Sequence, residues 1–306
     1  MRIAAACIVA LFAVAGGVAF AATRSGGSSW PVQVRVAQKG YPAPLRGAVV
    51  SSRRFGSDAL GVSLLRHDGK LLVQLSAIGP QGNALTGLAV GVTADGRAVG
   101  TTSCGNGCYG ASLPDARAGS KILVSVRSGS RSTRWPLTVP AAAAFRDASP
   151  VVLRAARAWR SLRSLTMHEQ LAASAAPPLR SAWRIQAPDR LTYTVDGGSS
   201  AVIVGARRWD RPTGSSPWVA SPQTPVTQPI PSWELVTDAH VVGATTVAGR
   251  PALQITFFDP GIPAWFEILV DRTSLRTLQS RMVAASHFMV DDFSGFNSTP
   301  AVEPPH

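Results

Sequence analysis

His287, followed by Asp291 and Asp292, is the first place to look for acid–base chemistry in this chain. A general base needs a reacting partner within hydrogen-bond reach and a nucleophile or oxyanion site beside it. None is placed by any motif. Glutamate occurs only at 169, 234, 267 and 303, and there is no G-x-S-x-G elbow, no H-E-x-x-H and no phosphate-cradling glycine loop. The acidic pair therefore reads as a solvated strand end, and the chain is expected not to be an enzyme. Met282, His287 and Met289, with Met167 and His168 elsewhere, are the best soft-ligand set for a metal such as Cu(I). Regular alternation puts Met282 on the face opposite His287 and Met289, so these residues read as core, and neither metal nor cofactor is expected. Cys104 and Cys108, in TTSCGNGCYG, are spaced for a disulfide across a hairpin tip, where glycine supplies positive φ.

What the sequence has in quantity is aromatic residues on alternating strands. Trp183 and Ile185 alternate with Arg184 and Gln186, and Phe258, Trp265, Phe266 and Phe288 lie on long strands further on. Trp209 and Trp218 punctuate a Pro/Ser/Thr-rich stretch over 208–232 that reads as a flap. These eight residues are the expected binding set for an apolar ligand, a lipid acyl chain or a lipoprotein, against the alternative that each is ordinary core.

The elements that must position them are mostly strands. The stretch 257–297 reads as two long strands joined by a turn at 271–274. In the first, Phe266, Ile268 and Val270 oppose Trp265, Glu267 and Leu269. In the second, Leu278, Met282, Ala284, Phe288 and Val290 share a face opposite Gln279, Arg281, His287 and Met289. Further strands are expected at 166–173, 179–187, 191–196, 200–207, 241–247 and 253–257. Ahead of them Ser149-Pro150 starts a helix, with serine capping and proline in the first turn. Val152, Ala155, Trp159 and Leu162 form its apolar stripe, and Arg154, Arg157, Arg160 and Arg163 the other. Such a helix packs its stripe onto its own domain, and its basic side also suits a membrane surface.

Over 59–140 six or seven short strands with turn signals between them give the pattern of an immunoglobulin-like β-sandwich. The organisation expected is thus a signal peptide (1–21), a linker with strands near 32–36 and 48–52 (22–58), the sandwich (59–140) and a second β domain (148–303). Two domains agree with the length of 306 residues, and 45 % hydrophobic content suffices for real cores. Arg2, an apolar run and Ala19-Phe20-Ala21 have the form of a secretory leader, so export to the cell envelope is expected, the leader being cleaved or kept as a single anchor. The formal net charge is +13, nearly all from arginine, which favours contact with anionic head groups. Export and the scatter of the arginines argue against nucleic acid as partner.

The succession WRSLRSL, APDRLTY, AVIVGARRWDRP, VAGRPALQITFFDP, PAWFEILVD and SHFMVDDFSGFN resembles a lipoprotein-carrier type (LolA-like) domain. That resemblance implies an open antiparallel half-barrel with helical cover over an apolar cavity, similar in fold to mycobacterial lipid-binding envelope lipoproteins and to periplasmic sensors of anti-sigma factors. Together with the upstream module carrying CGNGCY, residues 59–303 resemble the exported C-terminal part of actinobacterial copper-resistance D-family proteins. This sequence departs from that arrangement: it has no multi-helix membrane region and no Met/His-rich copper-carrier stretch. The fold class expected is mainly β, a sandwich followed by a half-barrel with a covering helix. The function expected is apolar-ligand binding, with docking to or sensing at a membrane or membrane protein, linked to copper homeostasis, as the alternative.

Overall fold

The structure, a computed structural model, describes residues 40–173 and 177–306. The expected leader, most of the linker and its strand near 32–36 lie outside the described residues. Among the described residues nine strands precede the α-helix: β1 (Val49–Phe55), β2 (Asp58–His67), β3 (Lys70–Ile78), β4 (Ala89–Ala94), β5 (Arg97–Val99), β6 (Thr102–Gly105), β7 (Cys108–Leu113), β8 (Lys121–Ser128) and β9 (Arg131–Thr138). They form two antiparallel sheets, ordered β1-β2-β3-β7-β6 and β5-β4-β8-β9. Leu60, Val62 and Leu64 of β2, Val73 and Leu75 of β3, Val124 and Val126 of β8 and Trp135 of β9 share the core between them. Each such side chain is worth roughly 1.5–3 kcal/mol when removed from water. The sandwich begins at Val49, inside the stretch read as linker. Cys104 and Cys108 are bonded to each other across the β6–β7 tip, as their spacing predicts.

α1 (Ser149–Arg160) follows. Val152, Ala155 and Trp159 are buried and Arg154, Arg157 and Arg160 exposed, so the stripe packs inward as expected, whereas Leu162 (buried) and Arg163 (exposed) lie past the end of the helix. The cap differs from the expectation. Ser149 is the first helical residue, and the Asp147 carboxylate accepts its backbone N–H at 2.8 Å and its hydroxyl at 2.6 Å. An acid outside the N-terminus does the capping, which also suits the positive end of the helix dipole.

Eleven strands then build one antiparallel sheet: β10 (Ser164–Ala172), β11 (Leu179–Gln186), β12 (Arg190–Val195), β13 (Ser200–Val204), β14 (Arg207–Arg211), β15 (Val219–Pro222), β16 (Thr237–Val247), β17 (Arg250–Asp259), β18 (Ala264–Asp271), β19 (Thr277–Ala284) and β20 (His287–Ser294). Its order, β15-β14-β13-β12-β11-β10-β20-β19-β18-β17-β16, is two meanders of sequence neighbours. They are joined where the first strand pairs the last, Met167 with Phe293 and Glu169 with Asp291. Mainly-β architecture with a single covering α-helix among the described residues is therefore the observed fold class.

Two expectations are corrected here. The second strand of the 257–297 stretch is a hairpin: Ala284 pairs His287 around a two-residue turn in which Ser286 takes φ +49°. No glycine, asparagine or proline marks that turn. It shifts the alternation by one, so Met289, Asp291 and Phe293 share the face of Met282, and Phe288 takes the other. The stretch over 208–232 is likewise no plain flap, since β14 and β15 extend the sheet edge within it.

Candidate functional site

One face of the large sheet carries α1, and the expected binding residues divide over both faces. On the helix side Phe266 stacks on Phe257 at 5.1 Å and 10°, with Trp233 edge-on to both. They share a cluster with Ile255, Ile268, Met282 and Met289 under Val152, Ala155 and Ala156 of the helix. A second helix-side cluster gathers Trp183, Ile185, Tyr193 and Ile203 around Trp159, whose ring meets Phe293 edge to face at 4.5 Å.

Phe258, Trp265 and Phe288 belong to the opposite face. With Ala172 and Val283 they pack against Tyr41, Val50, Ala59 and Ile78 of the N-terminal module. The outward residues of β1 and β2 thus seal this side of the large sheet. Trp265 is 1 % exposed, and its indole lies so close on Gly61 that any Cβ there would overlap the ring. Polar ties rim the seam: Arg281 donates to the Ser52 carbonyl at 2.6 Å, and Arg54 lies over the Phe288 ring at 5.1 Å. These three aromatics are a core between modules, on the face away from α1. Trp209 stands in β14, paired with Val202 while its neighbours Arg208 and Asp210 turn to the helix side. Trp218 carries the Arg211 guanidinium over its ring at 4.6 Å.

Between the two helix-side clusters runs a polar seam that the sequence reading missed. Glu169 shares its strand face with Met167 and Leu171, and Asp291 with Met289 and Phe293, so both carboxyl groups point among apolar neighbours. They are 6 % and 1 % exposed. Glu169 accepts from the Ser181 hydroxyl at 2.7 Å and from the Trp183 indole at 3.2 Å. Asp291 Oδ1 and the hydroxyl of Ser280, opposite it in register, have no hydrogen-bond partner among the described residues. Burial holds the Asp291 carboxyl well above the usual carboxylate range, and repulsion from Glu169 and Asp292 adds to the effect. Burial also raises Glu169, against the two hydrogen bonds it accepts. A glutamate at an inward position of an apolar alternation was a readable signal. Asp291 was not readable, because the turn at 285–286 had gone unrecognised. The expected solvated acidic strand end is corrected: Asp291 is buried, while Asp292 is exposed and accepts from Gln279 at 2.7 Å, and His287 Nε2 has no hydrogen-bond partner among the described residues. Burial lowers the His287 imidazole. No group of three or more His, Cys, Asp or Glu side chains among the described residues is placed to hold a metal.

At the end of the sheet where the β16–β17 and β18–β19 turns meet the close of β20, a half-open cleft of about 290 Å³ remains. Leu278, Phe293, Phe296 and Val247 give it apolar walls, and Arg250 and Arg276 stand at its sides. Phe293 belongs both to this cleft and to the Trp159 cluster, so the cleft continues the helix-covered face. The arrangement offers apolar burial plus positive charge, with the serines Ser294 and Ser298 also on its lining.

No protein-family model and no curated protein matches the chain. Solved structures match it in part. LprF from Mycobacterium bovis aligns at 8 % identity, covering 51 % of this chain and 95 % of its own, with a TM-score of 0.39. The Mycobacterium tuberculosis lipoprotein LppX aligns at 11 % identity, covering 50 % and 97 %, with a TM-score of 0.39. A LolA superfamily protein from Nitrosomonas europaea aligns at 6 % identity, covering 51 % and 95 %, with a TM-score of 0.24.

Proposed function

We propose that this is an exported, non-catalytic protein of the cell envelope that binds an apolar ligand, a lipid acyl chain or the acyl part of a lipoprotein, in a LolA-like half-barrel. The observation that carries the reading is the form of the large sheet. A broad antiparallel surface has two apolar clusters on one face, a single 12-residue α-helix among the described residues over them, and a cleft with aromatic walls at its end. One helix is little cover for eleven strands, and a sheet must bury its apolar face against something. Affinity then comes from apolar area withdrawn from water, at about 25 cal/mol per Å². The N-terminal sandwich acts as the module that closes the other face.

The test is to incubate the purified protein with a lipid extract and analyse what it retains by mass spectrometry. Bound acyl lipid, displaced by a hydrophobic dye at one site per chain, is the expected result. Protein that stays empty and binds no dye would overturn the reading.

A second reading, docking at a membrane or to a membrane protein (in the wider resemblance, one of copper homeostasis), has its own observation. Leu153, on the solvent side of α1 beside Arg154 and Arg157, is 45 % exposed. An apolar tip among arginines suits an anionic bilayer surface. If it docks there, Leu153→Glu weakens co-sedimentation with anionic vesicles by roughly an order of magnitude, the sum of lost burial and added repulsion. Unchanged sedimentation would rule this surface out.

A further inference from the structure

We infer that the cleft at the β16–β17 end is a head-group site for a single-chain anionic amphiphile, an oxyanion such as phosphate on one alkyl chain. This rests on the apolar-ligand reading above and deepens it.

Charge makes the first argument. Arg250 and Arg276 both line the cleft, and neither guanidinium has a salt bridge or hydrogen bond among the described residues; Arg276 meets only the Phe296 ring, at 5.3 Å. No acid lines the cleft with them. The acid that feels Arg250 is Asp271, and its Oδ1 is already engaged by the backbone N–H groups of Thr273 and Ser274 at 2.9 and 2.7 Å. Two arginines lining one small volume suit a tetrahedral or planar oxyanion, which takes paired N–H donors. Arg272, in the same turn, adds positive charge nearby.

Size and polarity make the second. About 290 Å³ is at the lower end of ligand sites, enough for a head group and the first part of one chain but not for a diacyl lipid. The walls beyond the arginines are Leu278, Phe293, Phe296 and Val247, so a free anion would leave the apolar part of the cleft unused. The tail is directed toward Phe293 and, past it, toward the Trp159 cluster.

The experiment measures binding to the full-length protein by calorimetry, below the critical micelle concentration, with three probes: dodecyl phosphate, dodecyl maltoside and inorganic phosphate. Dodecyl phosphate is expected to bind one per chain, at least about tenfold tighter than either other probe, given the worth of charge-assisted hydrogen bonds. Arg250→Gln/Arg276→Gln should remove that advantage while leaving dodecyl maltoside within about twofold and the melting temperature unchanged. Arg250→Gln alone, at an exposed position, should give a partial loss and guards against a folding defect in the double variant. Equal binding of dodecyl phosphate to native and double-variant protein would overturn the inference, as would inorganic phosphate binding as tightly as the amphiphile. If both amphiphiles bind equally and without regard to the arginines, the apolar-ligand reading stands and the head-group site falls. If neither binds, both fall.

Discussion

Trp265→Ala is expected to destabilise the protein by about 3–5 kcal/mol, the range for removing a large aromatic from a packed core, and to leave ligand binding by the remaining folded protein intact. The ring is buried between Phe258 and Phe288 on its own sheet and Ala59, Ile78 and Gly61 of the N-terminal module. Its loss therefore opens a cavity in the seam between modules, on the face away from the helix. Gly61→Ala attacks the same contact from the other side, since a methyl group there must displace the indole; overpacking of this kind costs typically about 1–3 kcal/mol. Denaturant unfolding read by tryptophan fluorescence checks both, and a transition that broadens or splits would show the modules parting. A variant of native stability that no longer binds an apolar probe would instead put Trp265 in the ligand site.

The second large effect is a dependence on pH. A buried acid whose folded pKa is raised holds its proton after the unfolded chain has released it. The folded state then binds more protons, and stability falls as pH rises from about 4, the ordinary carboxylate value, toward the raised value. Asp291 is held well above that ordinary value by burial and by its acidic neighbours, and Glu169 is shifted the same way. Asp291→Asn removes one ionisable group and offers an amide donor to the carboxylate directly across the strand pair. Its melting temperature at pH 8 should exceed that of the native protein by at least about 3 °C, what roughly 1 kcal/mol amounts to in a domain of this size. At pH 4 the difference should vanish. His287, lowered by burial, acts below its ordinary value of about 6.5 and does not contribute above neutrality. A constant difference between the two proteins across that range would contradict the assignment.

How much of this was legible in the residues depends on what each signal encoded. The apolar stripe of α1 and the alternation of Phe266, Ile268 and Val270 read directly, because period and burial are the same statement. The disulfide was legible from two cysteines and their glycines. The turn at 285–286 was not, since Ala285 and Ser286 carry no turn chemistry and only pairing with β18 and β10 fixes it. Missing it misplaced Phe288 and hid Asp291. Aromatic content alone could not say which face of the sheet a ring takes, nor that β1 and β2 cover one of them. β2 did hold a clue in DALGVSLL, a strand buried on both sides, whose Ala59 and Gly61 are small because another sheet lies on them. Arg250 and Arg276 stand far apart from Phe293 in sequence, and only the meander brings their turns to one end.

The most direct test of where the ligand lies is photo-crosslinking with a diazirine-bearing fatty acid, mapped by peptide mass spectrometry. Saturable labelling of Val247, Leu278, Phe293 and Phe296 is the predicted result. Labelling confined to Phe258, Trp265 and Phe288, or none that saturates, would contradict a ligand on the helix-bearing face.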